Sequence, residues 1–399
     1  MYLDCYSCGY SIESGGVTPQ ARCECGEPLW IRTENSKADM DVDLSSVDLG
    51  DWMWAFEQLL PVDRPSGSAE GVGGTPHLAA PTLTEYAGCR VQLKDESENL
   101  TGSFKDRGSA VGVQAAVRAG APAVGTVSHG NMAMSTAAFA AAADLPCLVL
   151  VPADISDDRL SSIARFEPEI VRVDGDYGRL YYRALTLGQR LGVPFINSDV
   201  PHRVAGQKTT TLEILAATAP AFPDAIVFPT SSGGHVSGGW KAIRELRRAG
   251  YQDLPRLYLA QAAPSAPIAA AADRGADAVT PVERGDTIAY SIGNADPPSG
   301  TRALTAARET AGGVVAVTDS ETREARRRLA VDAGMNAEPS CATALAATRK
   351  LTADGSIGPD EQVSLVITGS GFKEQTAVPV SPETVSLEDL ESRVGRFSS

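Results

Sequence analysis

A lysine at the start of a predicted helix is the residue in this sequence best suited to covalent chemistry. Residues 99–108 read NLTGSFKDRG and follow a predicted strand, so Lys105 lies in the first turn of the next helix. The amino terminus of a helix disfavours a cation. A lysine placed there, beside hydroxyls and an aromatic ring, is explained if its amine is neutral and nucleophilic, as an imine-forming lysine requires. An ordinary surface lysine is the alternative.

Two other loops also follow predicted strands and open helices. Residues 128–133 read SHGNMA, and the free amides of such a helix start can bind a carboxylate. Residues 229–240 read PTSSGGHVSGGW, in which paired glycines let amides approach a phosphate. Neither the Walker ending nor the dinucleotide fingerprint is present, which favours a smaller phosphorylated cofactor. A plain glycine-rich turn is the alternative for this loop.

Four of the seven cysteines form two closely spaced pairs near the amino terminus, each pair followed by a glycine. These cysteines are Cys5, Cys8, Cys23 and Cys25. Two such knuckles can place four thiolates tetrahedrally around zinc, and a reducing cytoplasm disfavours disulfides. Because four thiolates leave no open coordination position, the spacing predicts a structural zinc site.

The elements that must position these loops alternate along the chain. Short β-branched runs and longer helical patterns follow one another, which predicts parallel sheets covered on both faces by helices. Ligands bind at the carboxyl ends of such strands, where all three loops lie. The predicted strands are residues 90–94, 124–127, 147–151, 170–173, 195–197, 226–229, 257–261, 314–317 and 363–367, and the clearest helices are residues 103–119, 132–143, 178–191, 208–217, 235–249 and 321–333.

The composition excludes several classes of protein. The 399 residues carry a net charge of −15, which would repel a phosphate backbone, so we expect no nucleic-acid partner. Only seven of the 35 basic residues are lysines; an acidic, lysine-poor surface suits a salt-rich cytoplasm, and GC-rich coding is the alternative explanation. The amino terminus lacks a leader pattern and no apolar run is long enough to span a bilayer, so we expect a soluble, cytoplasmic protein with no membrane partner.

Together the loops resemble those of pyridoxal-phosphate enzymes with the tryptophan synthase β-like fold (fold type II), and most closely those of threonine synthases. Nine of the ten positions at 99–108 match the family pattern NPTGSFKDRG, with Leu100 in place of proline. Similar segments lie at residues 74–76, 206–209, 338–340 and 368–371, so the resemblance covers nearly the whole chain. Several family members also carry an amino-terminal zinc-ribbon-like module similar to residues 5–26.

The resemblance implies an α/β protein of two domains behind a small metal module. Residues 1–32 would form the zinc-ribbon-like module. Residues 33–109, which include an acidic connector, and residues 203–399 would form the larger cofactor domain, and residues 110–202 the smaller domain. A homodimer is a possible assembly.

The resemblance also implies roles for individual residues. Lys105 would form the imine with pyridoxal phosphate and then act as general acid and base, and Phe104 would pack beside the ring. Asn131 would meet the ring hydroxyl and Thr368 the pyridine nitrogen. The cofactor phosphate would be bound by Ser231, Ser232, Gly233, Gly234 and His235, the substrate carboxylate by Ser128, His129, Gly130 and Met132, and the substrate phosphate by Asn197, Ser198 and Arg203.

The implied reaction converts O-phospho-L-homoserine and water to L-threonine and phosphate. An alternative keeps the cofactor but performs β-replacement or β-elimination, as cysteate synthases and serine or threonine dehydratases do. A catalytically idle, zinc-stabilised binding protein is a third hypothesis, against which the intact Lys105 motif argues. The positions that depart from the usual family residues, and so leave the substrate open, are His129, Met132, Ser231, Ser232 and His235.

Overall fold

The structure is a computed structural model that describes residues 1–33, 42–155, 157–175, 177–373 and 381–397. Its strands are β1 (Tyr2–Cys5), β2 (Ser11–Glu13), β3 (Leu29–Ile31), β4 (His77–Ala79), β5 (Arg90–Asp95), β6 (Val124–Val127), β7 (Cys147–Pro152), β8 (Glu169–Val173), β9 (Ala225–Pro229), β10 (Arg256–Ala262), β11 (Gly313–Val317) and β12 (Gln362–Ile367). Its α-helices are α1 (Thr84–Ala87), α2 (Lys105–Arg118), α3 (Asn131–Ala142), α4 (Asp157–Ala164), α5 (Tyr177–Leu191), α6 (Pro201–Gln207), α7 (Thr209–Thr218), α8 (Gly234–Ala249), α9 (Pro267–Asp273), α10 (Gly300–Glu309), α11 (Asp319–Ala333), α12 (Pro339–Ala353) and α13 (Leu390–Gly395).

The larger sheet has six strands in the order β11-β10-β9-β12-β5-β4. Every pairing is parallel except that of the edge strand β4 with β5. The central strand β9 is buried along its whole length, and its continuous apolar run is typical of a strand covered on both faces. The sequence pattern predicted the parallel strands, whereas β4 was missed because three residues are too few to show a period.

The smaller sheet is parallel, with the order β6-β7-β8, and lies within residues 124–173. The prediction of a further strand at residues 195–197 was wrong, because Phe195 makes only an isolated bridge to Gly125. Two residues later the side-chain oxygen of Asn197 accepts a hydrogen bond from the Val127 amide at 2.9 Å. A side chain therefore takes the place of the main-chain ladder that would have extended the strand.

The predicted helices correspond to α2, α3, α5, α7, α8 and α11, with ends that differ by at most a few residues. The sequence pattern did not predict α12, although this helix is as long as α5. Most of its residues are buried, so it lacks the polar face that makes a surface helix recognisable. No helix in the described parts of the chain combines the length and apolar character needed to cross a membrane.

The amino-terminal module is an antiparallel sheet in the order β2-β1-β3 that packs on the rest of the protein. Leu3 and Ile31 share a buried cluster with Ala205 of α6. Trp30 meets Trp240 of α8 edge to face, with ring centroids 5.0 Å apart. The module is thus attached through apolar contacts to α6 and to α8, the helix that follows the glycine-rich loop.

Candidate active site and metal site

The loop that carries Lys105 lies against the end of β12. The Phe104 amide donates to the Thr368 carbonyl at 3.1 Å, and the Ser370 amide donates to the Gly102 carbonyl at 2.9 Å. Since β5 and β12 are neighbouring parallel strands, their carboxyl ends place residues 99–104 and 368–371 side by side. Two segments far apart in sequence therefore form one wall of the site.

The first turn of α2 is fixed by polar contacts that the sequence analysis did not assign. The Asp106 carboxylate accepts from the Thr101 hydroxyl at 2.6 Å and from the Thr101 amide at 2.7 Å, which closes the loop ahead of the lysine. Arg107 is fully buried and donates to Glu96 at 2.6 Å and to Glu213 at 2.5 Å. These bonds fix the backbone on both sides of Lys105.

The amine of Lys105 lies 4.2 Å from the centre of the Phe104 ring, and the residue is half-buried. Burial, and after it the positive charge of Arg203, lower the pKa of Lys105 to about 7, and the carboxylate of Glu338 opposes this shift in part. A large fraction of the amine is therefore neutral near pH 7. This is the state that a nucleophilic lysine requires.

His235 stacks on Phe104, with the two ring centroids 3.9 Å apart and the planes 4° from parallel. The imidazole and the Lys105 amine cannot share one face of the ring, so they lie on opposite faces. His235 Nε2 is 3.0 Å from the Thr210 hydroxyl, and its buried Nδ1 finds no hydrogen-bond partner among the described residues. Burial and the charges of Lys105 and Arg107 hold the pKa of His235 well below its usual value, so the ring is neutral.

A histidine at the start of a helix can bind a phosphate or cap the helix. No side chain caps α8 through a hydrogen bond, and Gly233 occupies the capping position. The structure therefore gives no support to the cap.

The glycine-rich loop turns sharply between β9 and α8. Gly233 has φ of +85°, and a Cβ there would lie 2.5 Å from the Ser299 carbonyl oxygen. A Cβ at Gly234 would lie 2.2 Å from the Ser198 carbonyl oxygen. Both positions therefore require glycine, because the main chain of other segments approaches too closely for a side chain. The loop leads into the amide-bearing end of a long helix, a favourable place for a phosphate.

Asn131, the first residue of α3, connects the two sheets across the site. Its amide donates to the Glu338 carboxylate at 2.7 Å, and its oxygen accepts from the Lys373 amine at 2.7 Å. Lys373 also donates to the Gly102 carbonyl at 2.7 Å. No role was predicted for Glu338 or Lys373. The one feature of the sequence that pointed to them is that both lie in or near segments similar to the family pattern.

The remaining predicted residues lie around this cluster. The Gly130 amide donates to the Ser128 hydroxyl at 3.3 Å just before α3, and the side chain of Met132 is buried in its first turn. His129, the residue between Ser128 and Gly130, is half-buried. The Thr368 hydroxyl is 3.2 Å from the Cys341 thiol, and burial raises the pKa of Cys341 to about 12, so both groups are neutral.

Arg203 is buried between α2 and α3 and is already well bonded within the protein. Its guanidinium donates to the Lys105 carbonyl at 3.1 Å and to the Thr136 hydroxyl at 2.9 Å, with further bonds to Ile196 and Ser109. Its predicted contact with a substrate phosphate stays a prediction.

The other two residues of the predicted phosphate pocket are also buried. Asn197 Nδ2 has no hydrogen-bond partner within the described part of the chain. The Ser198 hydroxyl is 3.5 Å from that of Tyr181.

The four amino-terminal cysteines come together in the folded module. Their sulfur atoms all lie within 4.8 Å of one another, with Cys5 3.6 Å from Cys25 and Cys8 3.5 Å from Cys23. Tetrahedral zinc with bonds of about 2.3 Å separates its sulfur ligands by roughly 3.8 Å. The number, type and spacing of these ligands therefore fit a zinc ion.

Comparisons with known proteins decide the family. A family model described as pyridoxal-phosphate dependent enzyme matches residues 69–369, a span that contains Lys105 and the glycine-rich loop. The chain belongs to this family. The identification confirms the predicted α/β fold and the predicted cofactor class.

Known relatives of the enzyme include proteins named threonine synthase. That of Methanosarcina acetivorans is 33% identical over 391 residues, covering 97% of this chain and 96% of the relative. That of Methanocaldococcus jannaschii is 31% identical over 396 residues, covering 97% of each. The Mycobacterium leprae protein is 35% identical over 327 residues, covering 80% of this chain and 85% of its own.

Solved structures share the fold of the enzyme. O-ureido-L-serine synthase superposes with a TM-score of 0.65 at 20% identity, covering 82% of this chain and 99% of that one. The serine racemase of Dictyostelium discoideum gives a TM-score of 0.62 at 24% identity, covering 74% of this chain and 92% of that one. At these identities the likeness concerns the fold alone.

The residues around Lys105 fit pyridoxal phosphate. The site combines a lysine whose pKa is lowered to about 7, a loop whose two glycines are required by close packing, and a buried imidazole nitrogen without a partner among the described residues. A lysine supplies the imine bond and a helix start supplies the phosphate contacts that this cofactor needs.

Proposed function

We propose that the enzyme is a threonine synthase that converts O-phospho-L-homoserine and water to L-threonine and phosphate. The observation that carries the proposal is the half-buried Lys105, with a lowered pKa of about 7, beside a glycine-rich helix start in a chain 33% identical to a threonine synthase over 97% of its length. The matching relatives extend over both sheets, so the likeness is not limited to the cofactor loops.

Lys105 is the catalytic residue of this proposal. Pyridoxal phosphate, when bound, supplies the electron sink that makes the substrate Cα–H bond acidic. The Lys105 amine, with a pKa of about 7, takes a proton from Cα and then one from Cβ, and the phosphate leaves as the Cγ–O bond breaks. Protons return to Cγ and finally to Cα, while water adds its hydroxyl at Cβ and its remaining proton goes to the released phosphate. One group that both accepts and donates protons near neutral pH is sufficient for these steps.

The residues proposed to bind the cofactor surround that amine. Ser231, Ser232, Gly233, Gly234 and His235 would bind its phosphate through amides, hydroxyls and the unpartnered imidazole nitrogen. Phe104 would pack beside the ring, Asn131 would meet the ring hydroxyl, and the neutral Thr368 would face the ring nitrogen. A neutral partner leaves that nitrogen less protonated than a carboxylate would, which moderates the electron sink.

The substrate would bind on the side of the smaller sheet. The amides of residues 128–132 at the start of α3 would bind its carboxylate, and Asn197 Nδ2, Ser198 and Arg203 would bind its phosphate.

We place the smaller domain at residues 110–202, the larger at 33–109 and 203–399, and the metal module at 1–32. Asn131 of α3 already bonds to Glu338 and Lys373 across the site, and substrate bound at the start of α3 would help to keep the two sheets together and exclude water.

We also propose that Cys5, Cys8, Cys23 and Cys25 bind a structural zinc ion. The spacing of their sulfur atoms and the absence of an open position on a four-thiolate ion support a stabilising role. Removal of the ion is expected to lower the unfolding temperature of the holoenzyme.

The decisive experiment compares two phosphorylated substrates on the cofactor-loaded enzyme. We expect phosphate release with threonine formation from O-phospho-L-homoserine and none from O-phospho-L-serine. Turnover of O-phospho-L-serine alone would replace the proposal with a β-replacement or β-elimination enzyme. Absence of a visible cofactor band in enzyme saturated with pyridoxal phosphate would remove both.

A further inference from the structure

Arg22 of the metal module is bonded directly to the segment behind the proposed cofactor-phosphate loop. Its Nη2 atom donates to the Asp199 carboxylate at 2.7 Å and to the Pro298 carbonyl at 2.8 Å. Its Nη1 atom donates to the Gly26 carbonyl at 2.9 Å, beside the last metal-site cysteine. One side chain thus contacts both the metal knuckle and the body of the enzyme.

Asp199 joins three parts of the structure. Its side chain is only 2% exposed, and it accepts from Arg22 of the module, from the Tyr181 hydroxyl of α5 and from the Ser299 hydroxyl at 3.1 Å. Arg302 of α10 donates to the Ser299 hydroxyl at 2.9 Å. A buried carboxylate with this many donors has one well-defined position, because every donor is lost if it moves.

Ser299 and Ser198 connect Asp199 to the glycine-rich loop. The Ser299 amide donates to the Ser232 carbonyl at 2.9 Å, and the Ser299 carbonyl touches Gly233 so closely that no side chain would fit. The Ser198 carbonyl, one residue before Asp199, packs on Gly234 in the same way. The loop is therefore placed by the two segments that Asp199 ties together.

We infer that the metal module positions the cofactor-phosphate loop through Arg22 and Asp199, so that metal at the four cysteines increases the affinity of the enzyme for pyridoxal phosphate. The metal orders residues 23–26, whose Gly26 carbonyl orients the Arg22 guanidinium. Arg22 then holds Asp199 and Ser299 where the loop amides face the phosphate. Arg22 and Asp199 are positioning residues, and neither touches the reacting atoms.

The test measures the dissociation constant of pyridoxal phosphate by absorbance titration of apoenzyme, with the zinc content of each sample determined. Arg22→Gln with zinc retained should raise this constant about tenfold, within the usual range of coupling between sites. Arg32→Gln is the matched control, since it removes the ion pair that Arg32, just after β3, makes with Asp4 of the same module. The control should leave the constant unchanged.

Removal of zinc by a chelator supplies the second arm. In the wild type, zinc removal should also raise the dissociation constant of pyridoxal phosphate about tenfold. In Arg22→Gln, zinc removal should raise this constant little further, because the mutation and the loss of zinc interrupt the same connection. Equal effects of the chelator in the two proteins would overturn the inference, as would a wild-type constant in zinc-loaded Arg22→Gln.

A variant outside the module covers the case in which Arg22→Gln fails to keep its metal. Asp199→Asn should retain zinc and still weaken binding of pyridoxal phosphate; an unchanged constant in this variant overturns the inference. The inference rests on the proposed cofactor site, and the two can fail separately. A wild type that binds no pyridoxal phosphate refutes the proposed function, whereas one that binds it with or without zinc equally well refutes only the connection.

Discussion

Lys105 and Arg107 lie two residues apart in α2, yet they occupy opposite electrostatic surroundings. Arg107 is fully buried and bonded to two carboxylates, and one of these, Glu213, also accepts from Lys94 at 2.7 Å. Around Lys105, burial and after it the charge of Arg203 lower the pKa of the amine to about 7, and the Glu338 carboxylate opposes this shift only in part. A buried cation in contact with carboxylates keeps its charge, because their attraction offsets the loss of water. A buried cation with little such attraction has a lowered pKa and gives up its proton more easily.

This difference separates a structural region from a reactive one within a single turn of helix. The charges around Glu213 are strong and fixed, and the pKa of Glu213 is lowered to about 2 by Arg107 and Lys94 despite its burial. The charge on Lys105 is marginal and can change near neutral pH. The two regions should therefore respond differently to mutation and to pH.

The largest expected effect is the loss of Lys105. In Lys105→Ala the cofactor-dependent rate should fall by at least about 10³-fold, because removal of a general acid and base alone costs about 10² to 10⁴. The visible cofactor band should also disappear. Lys105→Arg is the matched variant, since it preserves a cation but cannot form an imine; activity in Lys105→Arg would contradict the proposed role.

Removal of the shared carboxylate should affect stability instead. Glu213→Gln leaves Lys94 and Arg107 buried without full compensation, and we expect a loss of about 3–5 kcal/mol in the free energy of unfolding. Urea denaturation measures this loss. Glu324→Gln, which removes an exposed partner of Arg327 and Arg328, should unfold like the wild type. Equal losses in the free energy of unfolding for Glu213→Gln and Glu324→Gln would contradict the expected difference between buried and exposed ion pairs.

The pH dependence should also separate the two regions. The neutral fraction of Lys105 grows as pH rises through about 7, so the rate at which apoenzyme combines with pyridoxal phosphate should rise over the same range. Glu213 has a folded-state pKa of about 2, below its usual 4.5, so its contribution to stability is present above pH 4.5 and is lost as pH falls toward 2. Stopped-flow absorbance and acid denaturation measure the two profiles. A combination rate that is flat across neutral pH would contradict the first expectation.

A smaller effect is expected from the ring behind Phe104. His235→Asn removes the stacked imidazole and should lower the free energy of unfolding by about 1 kcal/mol, the usual contribution of an aromatic pair. His235→Phe keeps a ring but lacks Nδ1, so it should restore stability while leaving the affinity for pyridoxal phosphate reduced. Thermal unfolding and cofactor titration distinguish these outcomes, and full affinity in His235→Phe would show that Nδ1 does not contact the phosphate.

Much of the fold could be predicted because its signals are local. The central strand β9 reads as a continuous apolar run, and the loops after β5, β6 and β9 carry recognisable glycine, serine and asparagine patterns. The strand predicted at residues 195–197 failed because Asn197 replaces a main-chain bond with a side-chain bond, and no local pattern records that exchange. The buried helix α12 was missed for a related reason, since burial on most sides leaves it without the polar face that a periodic pattern requires.

The sequence by itself determined which residues are candidates for the chemistry: Lys105 at a helix start, the paired glycines of the loop after β9, and the paired cysteines. These depend on residue type and short spacing, which the chain displays directly. Only the tertiary structure decided which charges meet: Glu213 with Arg107, Asn131 with Glu338 and Lys373, and Arg22 with Asp199. It also showed that the scarce lysines Lys94, Lys208 and Lys241 are buried against carboxylates. The physical reason is that contacts between distant segments follow strand order and domain packing, which a one-dimensional pattern does not contain.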